Sequence, residues 1–127
     1  MIRGTVSARH EAVLRLRLRG PGGTTAEVDA VLDTGFSGLL ALSDGVATSL
    51  GLVRRQPSSA VLADGTLCHF QTYGVELEWD GAFRAVVASA IGPESLVGMG
   101  LLAGHELRVE VAPYGAVEVR PLGPPVF

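Results

Sequence analysis

Asp33-Thr34-Gly35 is the stretch of this sequence best suited to do chemistry. A carboxylate can take a proton from water or give one to a leaving group, and it acts best where its surroundings hold it still. Val31-Leu32 lead directly into the triplet, and Phe36-Ser37-Gly38 are followed by the apolar run Leu39-Leu40-Ala41-Leu42. A plain solvent turn would be unusual between two such runs, although Asp and Gly are both turn formers. A given triplet occurs by chance in roughly a few chains per hundred of this length. The triplet itself therefore leaves both readings open, reactive carboxylate and surface turn.

Other reactive side chains are less well placed. Cys68 and His69 are neighbours on an apparent strand, so they point to opposite faces, which argues against a Cys/His nucleophilic pair. Ser37 lacks a convincing base. Trp79 beside Asp80-Gly81 reads as hairpin packing, and Gly98-Met99-Gly100 lacks the glycine pattern and the lysine of a phosphate loop. His10, His69, His105 and Cys68 show no zinc-ligand spacing, so zinc is not expected, and no metal or organic cofactor is implied.

The elements that must position Asp33 are short strands. Residues 11–19 alternate apolar and charged with period two, Gly20-Pro21-Gly22-Gly23 break the run, and a second strand covers about 26–32. The arginines at 15, 17 and 19 are then the wet face of the first strand. Ser43 is placed to cap a short helix from about Asp44 to Leu50, with Gly51 as its stop. Residues 54–62 are expected to be extended, with a turn at Ala63-Asp64-Gly65-Thr66. Residues 67–78 and 83–90 read as strands around the Asp80-Gly81 hairpin signal. Residues 96–102 suggest a helical turn closed by Gly104, and a last hairpin turns at Pro113-Tyr114-Gly115. This pattern predicts an all-β chain, a closed or nearly closed barrel with one or two short helices.

Composition agrees with a folded chain of one domain over residues 1–127. It is 47% hydrophobic and 18% charged, and its 17 glycines, about twice the usual share, mark many tight turns. A formal charge of −3 gives no case for nucleic acid or an anionic membrane. One cysteine allows no internal disulfide. With no signal-peptide pattern at the start and no run of about 18 apolar residues, the expected location is cytoplasmic.

Three features, in order along the chain, resemble the retropepsin-like aspartic protease family, which includes retroviral proteases and small bacterial relatives. They are Val31-Leu32-Asp33-Thr34-Gly35-Phe36-Ser37, the mid-chain turn Ala63-Asp64-Gly65-Thr66, and the late segment Leu96-Val97-Gly98-Met99-Gly100-Leu101-Leu102. The resemblance covers about residues 11–120 and implies a barrel subunit acting as an aspartic endopeptidase in a homodimer, on peptide or protein substrates. It makes Asp33 the catalytic carboxylate, with Thr34, Gly35 and Ser37 in support. Thr34 would bond across the twofold axis, and Ser37 would bond the outer oxygen of Asp33. Residues 63–66 would be the substrate-covering flap, and Val97 and Gly98 the second motif of the active-site loop. Two carboxylates about 3 Å apart share a proton, so one serves as base and the other as acid. Since one chain offers one such carboxylate, a second copy must supply the other.

The chain also departs from the family pattern. Gly100 stands where an Asp or Asn is frequent, and the flap has one glycine where retroviral flaps have several. Retroviral subunits dimerise partly through interleaved terminal strands, which Pro124-Pro125 would interrupt here. The same fold used as a non-catalytic dimerisation or peptide-binding module is the alternative.

Overall fold

A computed structural model describes residues 1–124 of the chain. Its strands are β1 (Ile2–Val6), β2 (Ala12–Arg19), β3 (Thr25–Leu32), β4 (Leu40–Ala41), β5 (Val53–Arg54), β6 (Ser58–Val61), β7 (Leu67–Phe70), β8 (Thr72–Trp79), β9 (Ala82–Ser89), β10 (Ser95–Val97), β11 (His105–Val109) and β12 (Ala116–Pro121). Two short helices, α1 (Asp44–Ser49) and α2 (Met99–Leu102), complete it. Among the described residues no helix is long and apolar enough to cross a membrane.

The main sheet runs β11-β12-β1-β2-β3-β10-β4-β9-β8-β5, and a further pairing of β2 with β8 closes six of these strands into a barrel. Closure rests on Leu18 opposite Leu77 and Arg19 opposite Glu76. Alternation decides which side chains fill the barrel. Leu14, Leu16 and Leu18 of β2 and Val75, Leu77 and Trp79 of β8 are buried, and they meet Leu40, Leu42, Val97, Leu101, Val117 and Val119 in one core. The intervening arginines of β2 lie outside, as their spacing predicts. Arg15 bridges Glu27 and Asp29, while Arg19 bridges Glu76 at 2.8 Å and lies 3.9 Å from the centre of the Phe83 ring.

Several local expectations hold. The Ser43 hydroxyl accepts the Val46 N–H at 3.2 Å and caps α1. Asp80 and Gly81 both adopt positive φ, 52° and 84°, the backbone of a tight hairpin turn matched to strand twist. Three others are corrected. Residues 2–6, to which the pattern assigned no strand, form β1 between β12 and β2. The strand expected over 67–78 breaks at Gln71, because β7 pairs with β6 in a separate small sheet while β8 belongs to the barrel. Residues 95–97 are a strand, and only 99–102 are helical.

The terminal strands close within one chain, with Ile2 opposite Val119 and Thr5 opposite Ala116. β12 ends at Pro121, and the Pro125 end of the tail lies outside the described residues.

Candidate active site

Strand β10 builds the site. It lies between β3, to which it runs parallel (Leu96 opposite Val31), and β4, to which it runs antiparallel (Leu96 opposite Ala41). Residues 33–39 leave β3 and return as β4, so they must bridge over the end of β10. Backbone bonds hold the bridge on both sides. Asp33 N–H donates to Val97 O at 2.9 Å, and Gly98 N–H to Leu39 O at 3.0 Å. Met99 N–H donates to Phe36 O at 2.8 Å, and Gly100 N–H to Gly38 O at 3.1 Å. Satisfying this many loop carbonyls from one strand end and the first turn of α2 makes the loop rigid.

Such close approach requires glycine. A Cβ on Gly98 would collide with the Gly38 carbonyl oxygen and sit 2.7 Å from the Phe36 ring and 2.8 Å from Phe36 O. A Cβ on Gly100 would lie 2.9 Å from Gly38 O and 3.0 Å from Ser37 O. The glycine at 100, a departure from the family pattern, thus has a packing reason in this chain. Phe36 is the residue the sequence reading did not single out. Its ring packs over Gly38 and Gly98, and the apolar residue after the triplet was the available signal.

Asp33 is half-buried, and Thr34, Gly35 and Ser37 are exposed. The Asp33 carboxylate accepts the Gly35 N–H on Oδ1 at 2.9 Å. A Cβ at Gly35 would stand 3.3 Å from that oxygen, so the missing side chain leaves the carboxylate open. Ser37 does not make the bond to Asp33 expected of it; among the described residues the carboxylate has the Gly35 bond alone.

Residues 63–66 form the tip of the β6–β7 hairpin. Leu62 N–H bonds Thr66 O at 2.8 Å, and Gly65 takes φ 84°. Asp64 Oδ1 accepts both the Thr66 hydroxyl at 2.6 Å and the Thr66 N–H at 2.9 Å, and these bonds hold the Asp64 carboxyl below its usual range. Val61, Leu62 and Leu67 around the tip are 71, 50 and 57% exposed, so the hairpin carries apolar surface with nothing packed on it. Its base is tied to the barrel by Thr72, whose hydroxyl donates to Gln56 O at 2.7 Å. Among the described residues no hydrogen bond or ion pair joins residues 58–70 to the loop 33–39. The Ala63-to-Thr66 tip and the Asp33 loop are thus separate units in the single chain, whereas Val97 and Gly98 are in direct contact with that loop.

Two grooves lie on the barrel. One of about 730 Å³ runs between residues 53–55 and strands β8 and β9, reaching Leu39; another of about 650 Å³ is lined by Arg15, Arg17, Glu27, Glu78 and Asp80. Neither includes Asp33. Among the described residues no three His, Cys, Asp or Glu side chains gather so as to hold a metal ion.

Comparison with family models and with curated protein sequences found no match. Among solved structures the chain is similar to the EIAV protease complexed with the inhibitor HBY-793. The TM-score is 0.52 at 15% identity, over 72% of this chain and 85% of that one. At that identity the likeness speaks to architecture alone: the chain has the retropepsin-like β-barrel fold.

Proposed function

We propose that the chain is one half of an aspartic endopeptidase, in which the Asp33 carboxylates of two copies act on a water held between them. One carboxylate takes a proton from the water as it attacks the peptide carbonyl carbon, and the other gives its proton to the departing amine nitrogen. The observation that carries the reading is the rigid loop over β10, which holds a single half-buried carboxylate at an open edge with glycine on its exposed side. Thr34 would lock the two loops together across the axis. Ser37 takes the role of a neighbour on the substrate side rather than a partner of Asp33. The hairpin bearing Ala63, Asp64, Gly65 and Thr66 would close over an extended peptide, covering with substrate the apolar side chains it leaves exposed.

A non-catalytic module on the same fold is favoured by one observation, that the Asp33 carboxylate has one hydrogen bond among the described residues and needs a second chain for its acid–base partner. Cleavage of a mixed peptide library between about pH 4 and 7, with Asp33→Asn protein alongside, separates the two. Cleavage that disappears in the variant supports the protease. A dimeric wild type that cleaves nothing refutes it in favour of the module.

A further inference from the structure

The main sheet has two edges, β5 and β11. β5 has two residues, too few for a ladder, but β11 has five. Opposite β12, Glu110 N–H bonds Ala116 O, and Leu122 N–H bonds Gly104 O. In an antiparallel ladder the bonded positions alternate, so residues 104, 106, 108 and 110 face β12. The N–H and C=O groups of His105, Leu107 and Val109 therefore point off the sheet, and none has a backbone partner among the described residues.

The side chains along this edge are ordered in a particular way. Glu106 and Arg108 share the outer face, each already paired inward: Arg120 to Glu106 at 2.7 Å and Arg108 to Glu118 at 3.2 Å. Two copies of β11 laid antiparallel about Leu107 set Glu106 of each copy opposite Arg108 of the other. They also bring residues 105, 107 and 109 into bonding positions for about six backbone hydrogen bonds. The outer face then carries a continuous alternating row, Arg120, Glu106, then Arg108 and Glu118 of the second copy. On the inner face Leu107 meets Leu107, and His105 meets Val109.

We infer that the free edge of β11 is a docking surface for a second copy of this chain, paired antiparallel about Leu107. The charge order selects that partner, because an edge strand bearing charges excludes most others. This surface rests on ladder geometry and charge alone. The edge is a contact apart from the Asp33 loop and does not depend on the proposed catalysis. Interleaving of terminal strands is not needed, since β1 and β12 already pair within the chain.

Sedimentation of the full chain, with Glu106→Arg and Arg108→Glu proteins alone and mixed, tests the inference. Wild type is expected to dimerise, and each variant to dissociate about tenfold or more readily, since each sets like charges opposite one another twice. An equal mixture of the two variants restores the dimer, because their charges are complementary to each other. A monomeric wild type, or a Glu106→Arg protein that dimerises as wild type does, overturns the inference. Amide exchange in wild type provides a check that needs no variant. The Leu107 and Val109 amides are protected at high concentration and exchange freely on dilution; exchange independent of concentration refutes the surface. Asp33→Asn protein keeps the two proposals apart. A wild-type dimer built on this edge that does not cleave refutes catalysis alone, while cleavage by a dimer that neither charge change weakens refutes the edge alone.

Discussion

Gly98→Ala probes the packing that fixes Asp33. The added methyl meets the Gly38 carbonyl oxygen head-on, with the Phe36 ring and Phe36 O at 2.7 and 2.8 Å, and two of these three neighbours are backbone. Backbone cannot rotate away, so the bridge 33–39 must lift off β10. Overpacking of this kind costs about 1–3 kcal/mol. Lifting also strains the bonds from Gly98 N–H to Leu39 O and Met99 N–H to Phe36 O, each contributing about 1 kcal/mol. The expected loss is about 3 kcal/mol, and at roughly 4 °C per kcal/mol for a chain of this size the melting midpoint falls by about 10 °C. Gly22→Ala, where a Cβ meets nothing within 4 Å, serves as the control and should stay within about 0.5 kcal/mol of wild type. Urea and thermal unfolding, each followed by Trp79 fluorescence, give the two values. A Gly98→Ala protein with wild-type midpoint would show that the loop does not rest on β10 as described.

Three further outcomes follow from the structure. His105→Ala removes the acceptor at 3.3 Å from the Trp79 indole N–H, and with Trp79 5% exposed the loss should be about 1–3 kcal/mol by denaturant titration. Asp64→Ala deletes both bonds to Thr66, so the amides of residues 62–66 should exchange faster while the global midpoint stays unchanged; a lowered midpoint would mean that the hairpin packs on the barrel. The Arg19 hydrogen bond holds Glu76 below the ordinary carboxylate range, so its stabilising effect is complete above about pH 4.3 and is lost as acid carries it through its lower folded value. Glu76→Gln protein should accordingly show a flatter fall in melting temperature on acidification than wild type.

Features decided by neighbours in sequence were legible. The β2–β3 hairpin follows from alternation, α1 from Ser43 and Gly51, and the β8–β9 turn from Asp80-Gly81. Features decided by distant partners were not. β10 has three residues, too few to display a period, and it is a strand only because β3 and β4 flank it. β1 is short and half-exposed, with Gly4 at its centre, so it lacks the apolar run that marked β2. The Asp33 site shows the same division. The carboxylate and its glycine could be read from the triplet, and Gly98 from the resemblance. That Gly100 fits against Gly38 and Ser37, or that Ser37 makes no hydrogen bond to Asp33, depends on where the bridge lands.

The insertion of β10 between β3 and β4 also sets an order of events. Leu96 pairs with Val31 and Ala41, which precede it by 65 and 55 positions. A chain leaving the ribosome therefore presents Asp33 long before the residues that hold its loop exist. Closing loops of this length slows folding, so the carboxylate takes up its geometry among the last events rather than the first. A nascent chain bearing every residue of the Asp-Thr-Gly triplet lacks the bonds that hold its loop until Val97 and Gly98 arrive, and synthesis itself sets that delay.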